Sequence, residues 1–83
     1  MQTTTRQTKD EARAVIARNI RAAVGKWKKE GTTGASIGCL FGCVPMDGLT
    51  ILLTPAAYAV LFDEVARETH IVGFSIYEDG ATF

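Results

Sequence analysis

Ala35-Ser36-Ile37-Gly38-Cys39-Leu40-Phe41-Gly42-Cys43-Val44-Pro45-Met46-Asp47-Gly48-Leu49-Thr50-Ile51-Leu52-Leu53 is the stretch whose reading decides the fold. An apolar run over 35–44, the turn signal Pro45-Met46-Asp47-Gly48 and a second apolar run over 49–53 together predict a β-hairpin. Pleat alternation then sets Ile37, Cys39 and Phe41 on one side with Leu49, Ile51 and Leu53.

Cys39 and Cys43 bear on the same reading. In a strand their Cα atoms would stand about 13 Å apart, beyond the ~7 Å reach of a disulfide. They are therefore expected to be small apolar core residues in a reducing compartment. His70 is the only histidine. A C-x3-C pair with one distant histidine lacks the four ligands of a structural zinc site, so no metal and no cofactor is expected.

Upstream, Thr8-Lys9-Asp10-Glu11 has the form of a capping box and predicts a helix start. Ala12, Ile16, Ile20, Ala23, Val24 and Trp27 then recur at three- and four-residue spacing as one apolar stripe. Gly31 is the expected stop. Downstream, Thr54-Pro55 predicts an N-cap with proline at the first helical position, and Ala57, Tyr58, Leu61, Phe62 and Val65 continue a second helix to about Thr69. His70 to Glu78 alternates as a last strand, with Val72, Phe74 and Ile76 on one face.

The element order is thus α-β-β-α-β, an α+β fold of one domain over residues 1–83, with 1–7 as an N-terminal arm. A three-stranded, mostly antiparallel sheet in the order 2-1-3 is favoured because the 35–44 strand is the longest and most apolar; the third strand beside the second, in parallel, is the alternative. Both helices are expected on one face. The other face would carry no charged side chain, and Leu40, Leu52, Ile71, Ser75 and Tyr77 on it are the expected partner or dimer interface. The alternatives are that Phe83 or the N-terminal arm covers this face, or that the two faces are exchanged.

Charge separates along the chain. Residues 1–29 hold eight of the nine Lys and Arg against Asp10 and Glu11, whereas residues 30–83 hold Arg67 against seven acids. Arg18, Arg21, Lys28 and Lys29 fall opposite the apolar stripe and form the expected basic partner-binding face. Lys26-Trp27-Lys28-Lys29 also pairs basic charge with an aromatic ring, as phosphate-binding sites do, but a net charge of zero is unusual for a dedicated nucleic-acid binder.

No catalytic constellation is present. His70 has no recognisable nucleophile or orienting acid, and the adjacent pairs Asp63-Glu64 and Glu78-Asp79 do not form a working carboxylate pair. The glycines make no phosphate-binding pattern. The apolar stretch from Leu49 to Phe62 is too short to span a bilayer, and the N-terminus lacks a secretory signal, so a cytoplasmic location is expected. The composition points to a non-enzymatic protein-interaction module. Phage- or mobile-element-encoded inhibitors of larger bacterial machines, anti-defence proteins included, bind and block in this way. A nucleic-acid-binding or regulatory protein using the basic first helix is the alternative, and homo-oligomerisation remains open.

Overall fold

Thr8 starts the first helix as its sequence requires. Its Oγ1 accepts from the Glu11 amide at 3.1 Å while the Glu11 carboxylate accepts from the Thr8 amide at 2.8 Å, satisfying two donors at once. In the computed structural model, which describes residues 7–78, α1 runs over Lys9–Lys29. It ends in a Schellman motif: the Thr32 and Gly31 amides, each at 3.0 Å, donate to the carbonyls of Trp27 and Lys28. Gly31 makes this closure by adopting φ 95°.

The chain continues as β1 (Gly34–Ser36), α2 (Ile37–Cys43), α3 (Pro55–Glu68) and β2 (Ser75–Tyr77). The expected three-stranded antiparallel sheet does not form. Among the described residues there is one two-stranded sheet, in which β2 lies beside β1 in parallel with Gly34 opposite Ser75 and Ser36 opposite Tyr77. A Cβ at Gly34 would meet the Ser75 carbonyl oxygen at 3.0 Å, so the close approach of the strands depends on the missing side chain.

The departure from the hairpin begins at Ser36. Its hydroxyl accepts from the Cys39 amide at 3.1 Å and caps α2, turning residues expected in a strand into two turns of helix. The apolar residues at 37, 40 and 44 satisfy helical spacing, and Ile37, Leu40 and Val44 are the ones buried. Cys39 and Cys43, expected in the core, are exposed. With 37–43 coiled into a helix, 49–53 has no strand to pair with and runs as irregular chain.

Thr54 caps α3 by accepting from the Ala57 amide at 3.1 Å, with Pro55 at the helix start. The core lies where α1 and α2 meet α3; Ile16, Ile20 and Val24 of α1, Leu40 of α2 and Phe62 of α3 are its largest fully buried side chains. Trp27 is half-buried at one end, its ring 6.3 Å from that of Phe74. The expected N-terminal arm, apart from Gln7, and the tail with Phe83 lie outside the described residues.

Candidate functional site

The irregular segment between α2 and α3 opens a cleft of about 720 Å³. Phe41 and Gly42 of α2, Val44, Pro45 and Met46 after it, Leu49, Ile51 and Leu53, and Pro55 and Tyr58 of α3 line it. None of these side chains is charged. Phe41 remains 42% exposed although its ring stands 5.4 Å, edge-on, from Phe62 and 5.6 Å from Tyr58. Met46 is 57% exposed and Leu52, on the same segment, 71%. Among the described lining residues Tyr58 is the only one that titrates, and burial pushes its phenol above the usual range.

An irregular wall needs fixing from outside, and α1 supplies it. The buried Asn19 amide donates to the carbonyls of Pro45 at 3.1 Å and Asp47 at 2.9 Å. Gln7 donates through its side chain to the Gly48 carbonyl at 2.8 Å, and exchanges bonds with Thr50 at 3.1 and 3.2 Å. Met46 to Leu49 forms a tight turn with Gly48 at φ 88°, and a Cβ there would lie 2.6 Å from the Arg18 guanidinium.

Arg18 therefore joins the cleft wall to the outer face of α1. Arg21 and Lys29 are exposed on that helix, and no ion pair engages Arg18, Arg21 or Lys29 among the described residues. Lys28 behaves differently: its ammonium donates to the Val72 carbonyl and ties the end of α1 to the turn before β2.

Among the described residues four acids are drawn into pairs with arginine. Arg13, which charge patterning does not single out, holds Glu64 at 2.8 Å and Glu68 at 2.9 Å. Arg67 holds Asp63 at 2.9 Å and Glu78 at 3.0 Å. Hydrogen bonds donated to Glu64 and Glu68 raise the Arg13 pKa, those donated to Glu78 and Asp63 raise that of Arg67, and the bond accepted from Arg67 lowers that of Glu78. Four acids of the second part of the chain are thus engaged with arginine, while among the described residues no ion pair holds Arg18, Arg21 or Lys29.

The uncharged sheet face expected to carry Leu40, Leu52, Ile71, Ser75 and Tyr77 is not built, because its three strands are not. Leu40 is fully buried in α2 and Ile71 packs against the core. Leu52 is exposed between α2 and α3, away from the sheet in sequence, and only Ser75 and Tyr77 share an element, β2, where both are exposed. Phe41, Met46 and Tyr58 form the apolar surface instead. Hydrophobic spacing could have found Tyr58, which lies on the apolar side of α3; the roles of Gln7 and Asn19 leave no sequence signal.

His70 is exposed, and among the described residues no group of three or more His, Cys, Asp or Glu side chains gathers as metal ligands. No described helix is long and apolar enough to cross a membrane. No protein family, curated protein or solved structure matches this chain.

Proposed function

We infer that the chain is a non-enzymatic protein-interaction module that binds a partner through the α2–α3 cleft and acts by blocking it. The occupant is a segment of a partner protein that presents apolar side chains flanked by carboxylates. The observation that carries this reading is the junction at Arg18 and Gly48, where a wall of an uncharged cleft meets the face of α1 whose Arg18, Arg21 and Lys29 have no ion pair among the described residues. Phe41 and Met46 are already partly covered, so closing over them would contribute half of the roughly 1.5–3 kcal/mol that full burial of such a side chain is worth. Arg18, Arg21 and Lys29 at the rim would act mainly on encounter, steering acidic groups toward the cleft and speeding association. The reading is non-enzymatic because, among the described residues lining the cleft, no nucleophile stands with a base and an orienting acid.

Parallel capture with wild type and Met46→Glu tests the reading, followed by binding kinetics on the purified prey. A protein held one-to-one by wild type and lost with Met46→Glu supports it, provided association slows with ionic strength and in Arg18→Glu/Arg21→Glu. Prey held equally by both baits overturns it. Tight, salt-dependent binding of duplex DNA or RNA that disappears in Arg18→Glu/Arg21→Glu replaces it with the nucleic-acid reading.

A further inference from the structure

Cysteine is among the residues most often buried, yet both cysteines of α2 are exposed while Ile37 and Leu40 of the same helix are buried. Positions 39 and 43 lie one helical turn apart, so both thiols project from the same side of α2. Together with Trp27 of α1 and Tyr77 of β2 they line a second groove, of about 420 Å³, separate from the cleft that Phe41 faces.

Side chains at this spacing have Cβ atoms about 5–6 Å apart, whereas a disulfide needs roughly 3.5–4.5 Å. Direct S–S closure would require α2 to unwind. A single ion between the sulfurs adds the length of two metal–sulfur bonds and fits the helix as it stands. Tetrahedral zinc would need further protein ligands, and although Glu30 also lines the groove, among the described residues no group of three or more His, Cys, Asp or Glu is placed to hold a metal ion. Cu(I), a soft ion selected by thiolate sulfur, is satisfied by two such ligands.

We propose that Cys39 and Cys43 form a two-thiolate chelate for Cu(I) on the groove side of α2. Binding breaks the two S–H bonds and forms two Cu–S bonds. Both protons leave to solvent, the site carries one net negative charge, and no electron is transferred. Affinity therefore rises with pH, because the thiols must deprotonate to bind. Trp27 is the only tryptophan in the chain and lines the same groove, which gives the site an internal reporter.

The test is an anaerobic titration of the reduced protein with Cu(I) held by the chromogenic competitor bicinchoninate, reading competitor colour and Trp27 emission together. Wild type is expected to withdraw one Cu(I) per chain, with emission changing to the same end point. Cys39→Ser and Cys43→Ser should each lose both signals while keeping the wild-type unfolding midpoint, since both positions are exposed. Met46→Glu, in the other cleft, should bind copper as wild type does, which separates this test from that of partner docking. Failure of wild type to withdraw copper, or serine variants that withdraw it equally well, would overturn the chelate. So would copper-dependent dimerisation, which would place the ion between two chains.

Discussion

Asn19 on α1 reaches the main-chain carbonyl of Asp47 at 2.9 Å, and through that bond a buried helix residue holds the outer wall of the apolar cleft. The same amide also serves the Pro45 carbonyl. Asn19→Ala leaves both acceptors without this donor, so the expected cost is about 1–3 kcal/mol, read as a lower midpoint in urea unfolding. Asn19→Asp should cost at least as much, because a carboxylate cannot donate. Wild-type stability in both variants would mean that the Asn19 bonds do not hold the wall.

Gly48 should resist side chains for two separable reasons. Its φ of 88° strains any L-residue, and an added Cβ would meet the flexible end of Arg18. Gly48→Ala is expected to destabilise by about 1–3 kcal/mol. In an Arg18→Ala background the steric part disappears and the backbone part stays. A double-mutant cycle should therefore give a small coupling beside a large Gly48→Ala effect; a large coupling would assign the cost to the guanidinium instead.

Trp27 is half-buried between the end of α1 and Phe74. Trp27→Ala is expected to cost about 3 kcal/mol, the lower end for deleting an indole, because part of the ring already faces solvent. Thermal unfolding checks this. An unchanged midpoint would show that the ring is not part of the supporting core.

Glu78 gives the fold a small acid sensitivity. Its hydrogen bond with Arg67 lowers the folded-state pKa below the ordinary 4.5, so the contribution is present above that value and fades as pH falls through the folded pKa. Glu78→Gln should flatten the stability profile below about pH 4.5 and leave it unchanged near neutrality apart from a small constant loss. The pair is exposed, so added salt should also weaken it. A steep acid transition that survives in Glu78→Gln would show that the Arg67–Glu78 pair is not its source.

The two long helices are legible in the sequence because their ends are written in local chemistry: Thr8 with Glu11, Thr54 with Pro55, and Gly31 after the last turn. Residues 37–43 are harder to read. An apolar run broken by Gly38 and Gly42 fits either period, and the choice falls to the Ser36 cap and to burial of 37, 40 and 44 against α3. Misassigning that one segment also misassigns its neighbours, since a strand at 49–53 presupposes one at 35–44. The basic outer face of α1 follows from spacing alone, but the engagement of Lys28 by Val72 does not. Likewise, Asn19 and Gln7 act on main-chain carbonyls, which every residue possesses and no side-chain pattern marks.

The pairing of Gly34 with Ser75 also sets an order of assembly. Each strand is three residues long, and joining them closes a loop that contains α2 and α3. Closing a loop of that length costs roughly 3 kcal/mol or more of chain entropy, which so few strand bonds cannot repay in advance. The helices must dock first and bring the strands within reach. The sheet is then the last part of the molecule to form and the first to open, and β2 can detach while the contacts of α1 with α3 stay closed.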